Sequence, residues 1–202
     1  MLSLPYRHDC VILCVRKCTY LHLIETYVTL KHAHIMYIEP CCADRQLPRL
    51  LRAGGRFFQT SGDVSARRLL LAASWLCGRK LALTLLMPTV DDQLLRTLAH
   101  YFAQGWLTSL QLLTRADQTA LVRSHLSPTT GGQTIRYGHD PLLASGLMLI
   151  NGDEHTLFIQ GPMLCDGQPF AYRLYAAVLS PTPEELESVM ETVRPKLRHL
   201  GH

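Results

Sequence analysis

The sequence predicts an α/β fold, a single mixed, mostly parallel sheet flanked by helices and carrying a late β-hairpin. Three observations point that way. Leu81-Ala82-Leu83-Thr84-Leu85-Leu86-Met87 is an unbroken apolar run stopped by Pro88, the pattern of a strand covered on both faces in the middle of a parallel sheet. Beyond it, segments of helical and strand period alternate quickly, as crossover units do. Two apolar segments, 146–150 and 155–160, then flank Asn151-Gly152-Asp153-Glu154, whose Asn-Gly step suits the positive backbone angles of a tight turn.

Composition bounds the rest. At 202 residues, with 48% apolar and 18% charged, the chain can bury a core and suits one domain with or without an extension. A net charge of +4 is too small to imply nucleic acid by itself. Seven cysteines fall in no disulfide framework and no typical signal peptide precedes them, so a reduced, cytoplasmic setting is expected. No stretch approaches the ~18 apolar residues of a membrane span. No complete catalytic, metal or phosphate motif is present, and no cofactor is expected.

Residues 1–35 stand apart, rich in Cys, His and Tyr, and are expected to be an extension preceding one α/β domain over 36–202. Met36-Tyr37-Ile38-Glu39-Pro40 has the look of a beginning, which makes Met36 a candidate native start. Cys10, Cys14, Cys18 and His22 would drift along one side of a helix, but without the turn-forming knuckles of zinc pairs no metal site is expected. Next, Arg45, Arg49, Arg52 and Arg56 recur at helical spacing, with Leu47, Leu50 and Leu51 on another stripe. The helix is expected to be interrupted near Pro48 and ended by Gly54-Gly55. Arginine forks suit phosphate or carboxylate, so these four are the candidate binding residues, for a nucleic-acid backbone or an acidic partner. The same spacing also serves an ordinary solvated helix face.

A short strand over 56–60 and a turn at Ser61-Gly62-Asp63 lead into a helix over 64–76, capped by Asp63 or Ser65. Leu69, Leu70, Ala73 and Leu76 form its inner stripe, with Trp75 beside them. Gly62-Asp63 lacks the Lys-Ser/Thr of a phosphate loop. After Pro88, Asp91 and Asp92 favour a helix start, Leu94, Leu95, Leu98 and Phe102 face inward, and Gly105 closes the helix. A strand over 108–114, a helix over 116–126, a polar loop over 127–133 and a strand over 133–137 follow. Gly161-Pro162 ends the hairpin, and 170–179 forms another strand with Tyr172, Leu174 and Ala176 on one face. Thr182, Pro183, Glu184 and Glu185 start the last helix, whose dipole Lys196, Arg198 and His199 complement.

This element order, with its apolar Asn-Gly hairpin, resembles one half of the phospholipase D superfamily over about residues 59–163. In that family a His, one residue, Lys, four residues, Asp motif lies on the first strand of the late hairpin. Here, with Asn151 in the Asp place, Ala144 and Gly146 stand where His and Lys belong. With Asp153 there, the positions fall to Gly146 and Met148, and Gly161 is followed by Pro162 instead of Ser. The resemblance therefore implies a catalytically dead copy, since Ala, Gly and Met supply neither nucleophile nor phosphate-binding charge. Because two copies face one another in that family, it also implies a homodimer.

The function expected is a non-catalytic α/β domain acting through protein binding or assembly, with no catalytic residue. Two alternatives stay open. One is a hydrolase or phosphodiesterase using His139, Asp140, Asp153 or His155 near the ends of the later strands. The other is weak nucleic-acid binding through the arginine stripe. Ser74, Cys77 and Cys165 have no visible base, and Trp75 and Trp106 read as core and rim rather than a stacking platform.

Overall fold

The computed structural model describes residues 35–126, 134–143, 145–164, 173–198 and 200. The Cys10, Cys14, Cys18 and His22 series, the loop over 127–133, Cys165, Tyr172 and His199 lie outside these residues.

Eight strands form one mixed sheet: β1 (Ile35–Tyr37), β2 (Phe57–Thr60), β3 (Leu81–Met87), β4 (Leu107–Thr114), β5 (Thr134–His139), β6 (Gly146–Asn151), β7 (Thr156–Leu164) and β8 (Arg173–Leu179). Helices are α1 (Ala43–Arg52), α2 (Ala66–Cys77), α3 (Asp92–Ala103), α4 (Thr119–His125) and α5 (Pro183–Leu197). The spatial order is β1-β2-β8-β7-β6-β3-β4-β5. The sheet is α/β and mixed, but not mostly parallel. Of its seven pairings, β1–β2, β3–β4 and β4–β5 are parallel and the other four antiparallel. Parallel neighbours occur only where a helix carries the chain back, α1, α3 and α4 respectively. β6, β7 and β8 each reverse on the last, with no helix between them among the described residues.

β3 lies inside the sheet between β6 and β4. Its two faces are covered unequally. Leu81, Leu83 and Leu85 enter a large core roofed by Leu47 and Leu50 of α1, Leu70 and Ala73 of α2, Leu94 and Leu98 of α3 and Val122 of α4. On the other side Leu86 joins Leu113, Leu149 and Phe158 beneath Val189 and Val193 of α5, the one helix on that side among the described residues. One helix cannot cover a broad sheet, so Ala82 and Thr84 stay half exposed, and Thr84 Oγ1 donates to Gln111 Oε1 at 3.2 Å.

Local chemistry sets the element ends. α1 follows a 3₁₀ turn over Pro40–Cys42 and runs unbroken through Pro48, which is buried within it. It stops at Gly54, at φ +78°, where Gly54 N donates to Leu51 O and Gly55 N to Leu50 O, satisfying the last carbonyls. Arg56 therefore lies beyond the helix. Ser65 caps α2 and Asp91 caps α3. Trp75 is 73% exposed instead of lying beside the inner stripe, because it sits roughly 200° around the helix from Ala73. α4 begins only at Thr119, since the Asp117 carboxylate accepts from Thr119 N in a local turn that displaces a helical one. Thr182 and Glu185 complete a capping box at α5.

The hairpin of β6 and β7 is present, but its turn works differently from expectation. Gly152 is not among the glycines at positive φ. A Cβ there would lie 1.8 Å from the Cys77 carbonyl oxygen, so the glycine permits close approach of the hairpin tip to the end of α2. Glu154 N donates to that carbonyl, and Asp153 Oδ1 accepts from Arg79 N at 3.0 Å. Gly161-Pro162 does not end the hairpin: β7 continues to Leu164 through a register shift between Gln160 and Met163, where the missing proline amide is tolerated.

Candidate functional site

Of the four candidate acid and base residues, Asp140, Asp153 and His155 make local contacts. The Asp140 side chain accepts from Leu142 N at 2.9 Å in a turn after β5, while His139 beside it is exposed. Asp153 holds the segment between α2 and β3 through the amides of Arg79 and Lys80. Partial desolvation pulls its pKa upward, but those amides, its own amide and the Lys80 ammonium outweigh this and hold it below the ordinary carboxylate range. His155 meets Ser180 Oγ through Nδ1 at 3.0 Å.

Two Ser–His pairs come near a catalytic arrangement and neither completes it. Ser180 adopts φ +51° beside His155, but among the described residues no carboxylate orients that imidazole. Pro181 follows Ser180 and offers no amide to an oxyanion. At the end of α4, Asp92 Oδ1 lies 2.6 Å from His125 Nε2, and Ser124 Oγ 3.0 Å from His125 Nδ1. Ser124 also has the Leu121 carbonyl as acceptor at 2.8 Å, and the carbonyl-rich end of a helix repels a developing oxyanion. The His155–Ser180 contact and the His125–Asp92 contact tie elements together, whereas Ser124 and His125 are neighbours within α4. Cys77 is fully buried, and that burial, with the Glu154 charge nearby, pushes its thiol up to about 12.

Of the positions compared with the His and Lys of the phospholipase D motif, two lie on β6. Gly146 pairs with Gly161 across the hairpin, Met148 is 2% exposed within the larger core, and Ala144 lies outside the described residues.

Of the candidate binding residues, Arg45, Arg49 and Arg52 lie exposed on α1, with no ion pair among the described residues. Arg56 leaves the stripe and pairs with Glu185 of α5 at 2.5 Å. Residues 43–106, which include α1, α2 and α3, carry nine basic and four acidic residues. Arg68 engages Asp44, and Arg96 engages Asp92.

One concavity was not anticipated. Between the outer faces of α2 and α3 opens a cleft of about 840 Å³. Arg67, Leu71, Ser74 and Trp75 line it from α2, and Gln93, Arg96, Thr97, His100 and Tyr101 from α3. Arg79, Trp106 and Glu154 close one end. Tyr101 donates to Ser74 Oγ at 3.1 Å, fixing the floor. Trp106 lies 5.5 Å from the Tyr101 ring and 6.2 Å from His100, and the Arg79 guanidinium stands 5.3 Å from its centroid. Arg67 and Arg79 have no carboxylate partner among the described residues, and Glu154 is the single carboxylate among the lining residues. A signal existed in the sequence: residues 67, 71, 74 and 75, and 93, 96, 97 and 100, each follow a second helical stripe opposite the apolar one. That the two stripes face one another is decided only by packing.

No described helix is long and apolar enough to cross a membrane. Compared with family models, curated proteins and solved structures, the chain matches none.

Proposed function

We propose that the chain is a non-catalytic α/β binding module whose α2–α3 cleft engages an acidic protein segment, on a scaffold resembling a degenerate phospholipase D-like half. The observation supporting this is the lining of the cleft: three arginines and both tryptophans of the chain around one carboxylate. Tryptophan, tyrosine and arginine are the side chains on which binding energy concentrates in protein interfaces. Arginine forks grip carboxylates in two-point contacts, and the cleft volume falls within the range of about 300–1,000 Å³ usual for ligand sites. Asp140, Asp153, His155 and His125 are engaged in local contacts and Cys77 is buried. The family resemblance adds self-assembly to this reading, with a second copy as partner.

One observation favours nucleic acid as a second reading. Trp75 is exposed and Trp106 carries a guanidinium near its ring, and such groups also stack bases. A labelled peptide rich in Asp, Glu and Leu and a labelled oligothymidylate, each titrated at low salt, separate the two. The proposal predicts that the peptide binds and that Trp75→Ala with Arg79→Ala weakens it at least tenfold. Preference for the oligonucleotide with a steep salt dependence would transfer the site to the second reading. Binding of neither, or phosphodiester turnover lost on His139→Ala, would remove the proposal. Light scattering that finds only monomer would remove self-assembly.

A further inference from the structure

Ahead of α1, three metal-ligating side chains converge that the sequence reading passed over. Cys41 Sγ and Cys42 Sγ stand 3.6 Å apart, and Glu39 Oε2 lies 3.9 Å from the first and 3.7 Å from the second. Adjacent residues of a 3₁₀ turn point roughly 120° apart, so two neighbouring thiols do not meet by default. Here the turn is held from both ends. Cys42 N donates to Glu39 O at 2.9 Å, and Glu39 N donates to the Gln46 side chain of α1 at 2.9 Å. Pro40 fixes a backbone angle between them.

The spacing matches one face of a coordination tetrahedron. An ion with metal–sulfur bonds of about 2.3 Å and a metal–oxygen bond of about 2.0 Å sets its sulfurs ~3.8 Å apart and each ~3.5 Å from the oxygen. The two sulfurs and the carboxylate oxygen meet those separations with shifts of a few tenths of an ångström. We propose that Glu39, Cys41 and Cys42 form a binding site for a thiophilic divalent cation of the zinc class. Two thiolates and one carboxylate hold the ion, and its fourth position stays open to an external ligand. The donor set favours such an ion over magnesium or calcium, which take oxygen ligands. Cys41 is exposed and Cys42 half exposed, so an ion reaches both without opening the core.

The test uses the full chain, reduced and metal-free, titrated with Co²⁺ and read by thiolate-to-cobalt absorbance in the near ultraviolet. The expected result is binding of about one equivalent that survives Cys10→Ser, Cys14→Ser, Cys18→Ser and Cys165→Ser together and is reversed by Zn²⁺. The absorbance is lost in Cys41→Ser with Cys42→Ser, and Glu39→Gln weakens Co²⁺ binding roughly tenfold. Far-ultraviolet circular dichroism confirms that each variant folds. Should the fourfold variant not fold, Cys42→Ser in the otherwise native chain decides, with a clear loss of charge-transfer intensity expected. Absorbance undiminished in the Cys41 and Cys42 variants, or absent from a folded chain retaining both, would overturn the proposal.

Discussion

Gly152 meets the Cys77 carbonyl so closely that any side chain must push the hairpin away from α2. Gly152→Ala is expected to cost about 1–3 kcal/mol in denaturant unfolding, the usual range for overpacking. Gly62, with nothing within 4 Å of a built Cβ, supplies the control: Gly62→Ala leaves stability unchanged or slightly raised. Equal effects at the two positions would contradict the close-approach account. Asp153, one residue along, gives a pH signature. Its pKa is lowered in the folded chain, so its contribution is fully present above the unfolded value of about 4 and is lost as pH falls through the lowered folded value. Asp153→Asn is therefore expected to be less stable than the parent at neutral pH, with the gap closing in acid. A gap that stays constant down to pH 2 would show that the charge contributes nothing.

At the scale of elements, capping chemistry was the most legible part of the sequence. Thr182 and Glu185 were readable as a helix start because both partners lie in one short segment, and the box they form is closed at both hydrogen bonds. Thr182→Ala is expected to lower stability by about 1 kcal/mol, measured as a shift in unfolding midpoint with an unchanged slope. α4 shows where local reading ran out. Asp117 could end a turn or begin a helix, and Gln118, whose side chain accepts from Val90 N, is held by a distant segment. Trp75 shows a second failure, since an aromatic residue beside an apolar stripe invites burial even when helical angle places it outside. Arg56 shows a third: its spacing continued the stripe, but Gly54-Gly55 ended the helix before it.

At the scale of the molecule, the α/β character and the interior place of β3 followed from an apolar run between helical segments. Strand direction did not, because three successive apolar strands look alike in sequence whether they reverse or cross over. The unequal roofing of the sheet by the described helices was likewise hidden. Four helices on one side create an outer surface with clefts between helices, and the arginines of α1 and the α2–α3 cleft share that side. The predicted arginine stripe lies on α1 and none of its four residues lines the cleft, which the sequence did not reveal because α2 and α3 come together only through packing on the sheet.

The chain contains two tryptophans and both line the cleft, so their emission reports on that surface alone. Titrating an acidic peptide free of Trp and Tyr into the native chain, and following tryptophan emission, tests directly whether this is the working surface. The account predicts a saturable change in emission, weakened by Arg67→Ala and Arg79→Ala and by added salt. Emission that stays flat while the peptide binds elsewhere, or a change that ignores both arginine substitutions, would contradict it.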